Sequence, residues 1–251
     1  MPIRDFGTIL YNMMNLVKYI SFCGAASRRG AENLIRSGLV CVNGSVETNP
    51  ARRVSENDAV LLHGKILTPA PVRHYILLHK PRGYVCSNAD RHAEHLAVEL
   101  INIPEVKLVS AGRLDKESEG AIIFSDDGEF INRLAHPRYE VLKKYRVFVS
   151  CELGAGDLLR MQRGIADSGE MLKAVSVKPC GRNEYEFILN EGKKREIRRL
   201  VAACNSRVVR LVREEIGTVR LGSLPVGKFR ELSADEVKSL LAVSEQNGAE
   251  K

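Results

Sequence analysis

Residues 68–72, with the sequence TPAPV, place two prolines among small residues and divide the chain into a short and a long part. Because proline cannot continue a helix or a central strand, such a segment indicates a linker between separately folded regions. We therefore predict a compact module over residues 14–65, a linker over 66–73 and a larger domain over 74–238. Residues 1–13 and 241–251 are predicted to be flexible.

The short part has the pattern of a small α-β module. Residues 15–24 (NLVKYISFCG) place apolar side chains at helical spacing and end on a glycine, which favours helix termination. Ser27 is positioned to cap a second helix over residues 28–37 (RRGAENLIRS). Asn43 and Gly44 then form the expected tight turn of a β-hairpin.

The long part has strand and helix patterns that do not alternate strictly. Strand patterns occur in HYILLHK, GAIIFS, KYRVFVS, YEFILN and RVVRLVR. Helical spacing occurs in DDGEFINRLAHP and in KKREIRRLVAAC. Since strict alternation would favour a parallel sheet with crossover helices, this pattern predicts an α+β domain with a mixed or antiparallel sheet.

The charge of the chain indicates an anionic partner. An excess of Lys and Arg gives a net charge of +7 and a pI near 9.1, which favours nucleic acid. The module contributes Arg28, Arg29, Arg36, Arg52 and Arg53. These side chains form either an ordinary solvated face or a phosphate-binding surface, since guanidinium groups pair with phosphate oxygens. The basic run at residues 193–199 opens a predicted helix, where cations oppose the helix dipole and so indicate an anion-binding role.

Several functional classes lack their sequence signals. The six cysteines are scattered without a C-x-x-C pair, so we predict reduced thiols in the cytoplasm and neither a zinc site nor a disulfide framework. No apolar run approaches the ~18 residues that a membrane helix requires. We predict no signal peptide. Phosphate-loop, dinucleotide and metal-ligand patterns are also missing.

The segment AGRLDKESEG, residues 111–120, holds a basic and an acidic residue between glycines. One interpretation is a turn aspartate, Asp115, that accepts backbone hydrogen bonds beside glycine. The other takes the segment as extended, so that Arg113 and Asp115 project to the same side. A carboxylate in a basic cleft can then act as a base or a nucleophile.

Six motifs in this order resemble the RsuA/RluB family of bacterial ribosomal RNA pseudouridine synthases, over about residues 14–235. ASRRGAENLIRSGLVCVNG is similar to the alpha-L RNA-binding module named from a small-subunit ribosomal protein. HKPRGYVCS resembles the first catalytic-domain motif, and GRLDKESEG resembles the signature G-R-L-D-x-x-[ST]-x-G at every position. KKYRVFV resembles the K-x-Y-x-V strand. Two further segments, EGKKREIRRLVAACN and LVREEIGTVRLGSLPVGKFREL, resemble the last two motifs of the family.

The resemblance implies roles for the catalytic residues. The essential aspartate of the signature falls on Asp115. The tyrosine placed against the flipped base, a candidate for the final proton removal at carbon 5, falls on Tyr145. The basic partner of the aspartate falls on Lys193, with Arg198 as the alternative.

The resemblance also implies how the substrate is held. The apolar residue beneath the base falls on Leu211, and Arg113 resembles the arginine that holds the phosphate or fills the stack after the base leaves. Arg198 is expected to bind substrate as well. The family implies no cofactor and no metal. The expected partner is ribosomal RNA or a pre-ribosomal particle, bound by a monomer in a central basic cleft.

The implied reaction is the isomerisation of a specific uridine to pseudouridine in ribosomal RNA. The enzyme breaks the bond between uracil and ribose, turns the base and rejoins it through carbon 5. Attack by the aspartate on the sugar or base, and removal of the 2′ proton to give a glycal, both remain open. Flipping the base costs a few kcal/mol, which phosphate contacts must offset. The residues of the segments ASRRGAENLI and EGKKREIRRL are more similar to the branch of the family that acts on the large subunit.

A different function class is an RNA-binding or ribosome-assembly factor whose catalytic domain is inactive. The intact Asp115, Tyr145 and late basic motif argue against it, because loss of activity would usually alter one of them.

Overall fold

The chain divides into two units close to the predicted proline linker. A computed structural model describes residues 13–69, 73–87, 93–104 and 106–249. The first unit extends through His74 and includes Pro104–Lys107 and Asp126–Gly128, and the second contains the rest. The first unit therefore covers the predicted module and linker, together with two short segments that the sequence patterns did not assign to it.

The first unit is an α-β module. Its elements are β1 (Met14–Asn15), α1 (Leu16–Phe22), α2 (Arg28–Arg36), β2 (Val40–Val42), β3 (Ser45–Val46), β4 (Arg53–Val54), β5 (Val60–Leu62) and β6 (Lys65–Ile66). Four strands form a sheet in the order β3-β2-β5-β6, and β1 pairs with β4. Side chains from both helices and from the strands share one core, which includes Leu16, Ile20, Ile35 and Val40.

Local signals explain why the module folds this way. The Ser27 hydroxyl accepts a hydrogen bond from the backbone N–H of Gly30 at 3.1 Å, which confirms the predicted helix cap. Asn43 and Gly44 have φ of 52° and 83°, as a type I′ turn requires between β2 and β3. The Asn43 side chain also accepts from the N–H of Ala59 at 2.9 Å, which ties this turn to the start of β5.

The second unit is built on one large sheet. Its strands are β7 (Tyr75–Lys80), β8 (Val109–Ser110), β9 (Glu119–Ser125), β10 (Lys143–Val149), β11 (Ile165–Asp167), β12 (Glu170–Leu172), β13 (Ser176–Gly181), β14 (Glu184–Leu189), β15 (Val208–Ile216), β16 (Val219–Arg220) and β17 (Phe229–Glu231). The helices are α3 (Gly128–Ala135), α4 (Ala155–Arg163), α5 (Glu196–Ala202) and α6 (Ala234–Ala249), with 3₁₀ turns at Ala97–Leu100 and Pro137–Tyr139.

The large sheet is mixed, as the sequence pattern predicts. Its order is β13-β14-β10-β15-β9-β7-β17, with β16 added to β15 and β8 added to β9. The pairing of β15 with β9 is parallel and joins only Val212 to Glu119 and Arg213 to Gly120. The other recorded pairings in this sheet are antiparallel. The sheet therefore consists of two antiparallel halves joined by a short parallel seam between β9 and β15.

The seam explains the last glycine of the GRLDKESEG segment. Gly120 has φ of +110°, in the region that disfavours other residues, and it lies directly beside Arg213. A Cβ at position 120 would lie 2.3 Å from the backbone oxygen of Arg213 and 2.5 Å from its nitrogen. Glycine at position 120 therefore lets β9 and β15 approach closely enough to pair.

Some elements differ from the sequence predictions. Ile66, at the start of the predicted linker, belongs to β6, and the linker residues 70–72 lie outside the described residues. Helix α6 continues through Ala249, whereas residues 241–251 were predicted to be flexible. Of the other predicted extension, residues 1–12 lie outside the described residues.

The helix predicted from residue 193 begins at Glu196, because Arg195 has the left-handed φ of +54°. Sequence patterns missed α4 and the β11–β12 hairpin. In the described part of the chain no helix combines the length and apolar character needed to cross a membrane.

Candidate active site

Asp115 lies in a tight turn that leads from β8 into β9. The backbone carbonyl of Asp115 accepts a hydrogen bond from the N–H of Ser118 at 3.0 Å, and Gly112 has φ of +74°. Leu114 is buried and its N–H donates to the Cys86 sulfur at 3.4 Å. The Asp115 carboxylate is 37% exposed. The segment is thus a turn, as one interpretation of the sequence predicts, and this turn presents Asp115 partly to solvent.

Arg198 of α5 is the basic residue beside this carboxylate. Its Nε lies 4.0 Å from Oδ2 of Asp115, and its side chain is only 14% exposed. One terminal nitrogen donates to the Glu117 carbonyl at 3.1 Å and to the Ser118 hydroxyl at 3.4 Å. Burial lowers the pKa of the Arg198 guanidinium, while the Asp115 charge acts in the opposite direction. The site therefore combines a largely buried cation with a reachable carboxylate.

Lys193, the first choice for this partner, is held elsewhere. Its amine donates to the Met171 carbonyl at 2.7 Å and to Glu191 at 2.5 Å, and it forms no ion pair with Asp115. The hydrogen bond with Glu191 raises the pKa of Lys193. The lysine precedes the first turn of α5, so it does not share the helical face that carries Arg198. The structure therefore pairs Asp115 with Arg198, the alternative.

Lys80 is a site residue that sequence reasoning missed. Its side chain has no exposed surface, and its amine donates to the carbonyls of Pro81 at 2.8 Å and Ser118 at 2.7 Å. Burial lowers the pKa of this amine from 10.5 to about 8, while the charges of Asp115 and Glu119 act in the opposite direction. The quoted motif HKPRGYVCS contains this lysine, but the apolar run before it gives no signal that its amine is buried under the Asp115 turn.

Tyr145 and Leu211 lie on neighbouring strands of the sheet. Tyr145 of β10 is opposite Arg213 of β15, and Val147 is opposite Leu211. Since side chains two residues apart on a strand share a face, Tyr145 and Leu211 lie on the same face of the sheet. Both are buried, at 6% and 5% exposure. Arg213 connects this face to β9, because its Nε donates to the Ala121 carbonyl at 2.6 Å.

The basic residues predicted to bind RNA lie on the surface of the module. Arg28, Arg29 and Arg53 are exposed and have no acidic partner among the residues that the structure describes. Arg36 pairs with Glu32 at 2.9 Å, and Arg52 lies 4.0 Å from Glu47. In the second unit, Arg113 is exposed and lies two residues before Asp115 in the chain. Within the described residues, these three arginines of the module therefore lack an acidic partner and are available to anions.

No group of three or more His, Cys, Asp or Glu side chains in the described ranges is arranged to hold a metal ion. The charged side chains at the site include Asp115, Arg198 and Lys80.

Comparisons with known proteins identify the two domains of the chain. A family model described as RNA pseudouridylate synthase matches residues 74–203, and an S4 domain model matches residues 14–60. Ribosomal large subunit pseudouridine synthase B of Bacillus subtilis (strain 168) is 36% identical over 242 residues, which cover 93% of this chain and 98% of that protein. Ribosomal small subunit pseudouridine synthase A of Vibrio vulnificus (strain CMCP6) is 31% identical and covers 90% and 99%. A crystal structure of a pseudouridylate synthase aligns with a TM-score of 0.67 at 29% identity and covers 90% of this chain and 98% of its own.

The chain carries an S4 RNA-binding domain at its N-terminus, followed by a pseudouridine synthase domain. Because its relatives also align over almost their full length, the chain belongs to the RsuA/RluB family of RNA pseudouridine synthases.

Proposed function

We propose that this protein converts a specific uridine of ribosomal RNA to pseudouridine, with Asp115 starting the cleavage of the glycosidic bond. The observation that carries the proposal is the placement of the Asp115 carboxylate, partly exposed and 4.0 Å from the largely buried Arg198. An ionised carboxylate is the form that acts as a nucleophile or a base. Arg198 supplies the opposite charge, and takes the partner role first considered for Lys193.

The reaction breaks the bond from ribose C1′ to uracil N1 and forms a bond from C1′ to C5. The proton on C5 is then lost and N1 gains one, so substrate and product are isomers. Asp115 acts either by attack on the sugar or base, or by removal of the 2′ proton. Tyr145 removes the C5 proton. Tyr145 is 6% exposed and lies on the same sheet face as Leu211, which supports a shared role in packing the flipped base.

Binding energy for flipping comes from phosphate contacts. Extrusion of a base costs a few kcal/mol, and electrostatic contacts with the backbone offset it. This role for the module is supported by Arg28, Arg29 and Arg53, which are exposed and have no acidic partner in the described part of the chain. Arg36 and Arg52 belong to the same predicted RNA-binding set. In the catalytic unit Arg113 contacts the phosphate of the target nucleotide or fills its place in the stack.

The RNA belongs to a ribosomal subunit, and the large subunit is preferred. A relative named for the large subunit is 36% identical, and one named for the small subunit is 31% identical. Both names support ribosomal RNA or a pre-ribosomal particle as the partner. The enzyme then works as a monomer in the cytoplasm and uses no cofactor or metal.

The test is pseudouridine mapping of ribosomal RNA from cells with and without the gene. Mass cannot distinguish the isomers, so carbodiimide labelling followed by reverse transcription is the assay. The purified protein and its Asp115→Asn variant are then compared on the mapped RNA. We expect the variant to form no pseudouridine and to bind RNA with nearly unchanged affinity, because the substitution preserves size and removes only charge.

Glu152→Gln is the matched control, since Glu152 is an exposed carboxylate of the same unit. It should form product at the normal rate. Normal product formation by Asp115→Asn would refute the proposed role of Asp115. Unchanged ribosomal RNA in cells lacking the gene would favour a binding or assembly factor instead. Unfolding of Asp115→Asn would make Asp115 a structural turn residue.

A further inference from the structure

Ser118 is a buried polar residue of the signature to which neither the resemblance nor the reaction assigns a task. It is 2% exposed. Its N–H donates to the Asp115 carbonyl at 3.0 Å, and its carbonyl accepts from the Lys80 amine at 2.7 Å. Its hydroxyl accepts from Arg198 at 3.4 Å. Through its main chain and its hydroxyl, Ser118 therefore connects the turn that carries Asp115 to the Arg198 guanidinium.

Both terminal nitrogens of the Arg198 guanidinium donate hydrogen bonds, whereas its Nε donates none to the described residues. One terminal nitrogen donates to the Glu117 carbonyl at 3.1 Å and to the Ser118 hydroxyl, and the other donates to the Val208 carbonyl at 3.5 Å. The Nε is buried and has no hydrogen-bond partner within the described ranges. It faces Oδ2 of Asp115 at 4.0 Å. Because the guanidinium is planar and rigid, contacts at its terminal nitrogens fix the direction of Nε.

We propose that Ser118 is a positioning residue for the reaction, whose hydroxyl orients the Arg198 guanidinium so that Nε points at Asp115. This inference rests on the proposed function of Asp115. Without the hydroxyl, the carbonyls of Glu117 and Val208 still retain the guanidinium, but its rotation is less restricted. The expected loss is therefore in the rate of the chemical step and not in RNA affinity, because Ser118 is only 2% exposed and offers almost no surface for RNA to contact.

A purely structural role for Ser118 makes a different prediction. If the hydroxyl only stabilised the turn, its removal would lower the melting temperature and leave the rate of folded enzyme unchanged. The backbone contacts of Ser118 with Asp115 and Lys80 persist in any variant at this position, since they involve main-chain atoms. Side-chain variants therefore test the hydroxyl alone.

The experiment measures single-turnover rate constants with saturating enzyme on the mapped ribosomal RNA, and RNA Kd by filter binding. Ser118→Ala should lower the rate constant about tenfold, as expected for one hydrogen bond to a charged group, and change Kd less than about twofold. Ser118→Thr should restore most of the rate. Ser244→Ala is the matched control, because Ser244 is a fully buried serine of α6 whose hydroxyl bonds the Leu241 carbonyl at 2.7 Å. Its rate should equal that of the wild type.

A double-variant comparison shows whether Ser118 acts through the guanidinium. Arg198→Lys removes the planar group, so adding Ser118→Ala to it should cause little further loss. A second full loss of about tenfold in that background would overturn the inference. If Ser118→Ala is too unstable to assay, the isosteric pair Ser118→Thr and Ser118→Val decides, and equal rates for the two would overturn it.

Failure of this inference is distinguishable from failure of the proposed function. A normal rate for Ser118→Ala, with an inactive Asp115→Asn, would overturn the positioning role alone. A wild-type protein that formed no pseudouridine in any ribosomal RNA would overturn the proposed function, and the positioning role with it.

Discussion

Gly120→Ala should destabilise the catalytic unit more than an ordinary glycine substitution. At φ of +110° a side chain adds strain of about 1–3 kcal/mol. The new Cβ would also lie 2.3 Å from the Arg213 oxygen, about 1 Å closer than ordinary contact, so β15 must move away from β9. Overpacking of this kind costs about 1–3 kcal/mol. We therefore expect a total loss near 4 kcal/mol and a fall in Tm of about 10 °C.

Differential scanning calorimetry measures this loss, with Gly169→Ala as the control. Gly169 has φ of +79° in the turn between β11 and β12, and a Cβ there meets nothing within 4 Å. The control therefore carries the backbone strain without the contact and should lose about half as much. Equal losses of stability for the two variants would refute the argument that close approach of the β15 backbone requires glycine at position 120.

Three further outcomes are expected. Tyr145→Phe keeps the packed ring and removes the hydroxyl, so single-turnover product formation should fall about 10²–10⁴-fold with RNA Kd nearly unchanged. The double variant Arg28→Ala/Arg29→Ala removes two phosphate contacts, so the slope of log Kd against log salt should fall by about 1.4–1.8 in filter binding. Lys80 has its folded-state pKa lowered from 10.5 to about 8, so stability should rise as pH increases through that range, by about 3 kcal/mol. In urea titrations at several pH values, Lys80→Met should lose this part of the increase in the free energy of unfolding with pH.

Controls separate these outcomes from general damage. Arg36→Ala should change the salt slope less than loss of an unpaired arginine, since Glu32 already binds Arg36 at 2.9 Å. Lys143 is half-buried, and the burial of its amine lowers its pKa from 10.5 to about 8. Its own contribution to the rise in stability should persist in Lys80→Met. A normal rate for Tyr145→Phe would make Tyr145 a core residue. An unchanged salt slope would mean that the module binds another partner. A pH dependence of stability identical to that of the wild type would show that Lys80 does not titrate in the folded state.

Short-range signals predicted the module well. The cap at Ser27 and the turn at Asn43 and Gly44 each depend on a few adjacent residues, and the structure has both. The main strands of the catalytic sheet were also predictable, because apolar runs such as that of β9 are buried throughout.

The details of the site depend on long-range contacts that patterns do not carry. Helical spacing placed Arg198 and Lys193 in one helix, but the left-handed Arg195 starts α5 later and leaves Lys193 bound to Glu191. That shift decides which cation meets Asp115. The burial of Lys80 is likewise invisible in sequence, because a lysine at a strand end is usually exposed. The Ser118 and Pro81 carbonyls that accept from its amine come from the motif itself and from a segment almost forty residues away.

The short parallel seam has a consequence for the order of folding. The β9 strand and its antiparallel neighbours carry Asp115, whereas α5 and the β15 side of the sheet carry Arg198. Joining the halves closes a loop of some ninety residues for two paired positions, so this contact forms late compared with the hairpins on either side. A chain that has folded each half separately has an acid without its cation. Activity therefore appears only after this long-range closure, and native-state hydrogen exchange should show the seam amides opening before those of the hairpins on either side.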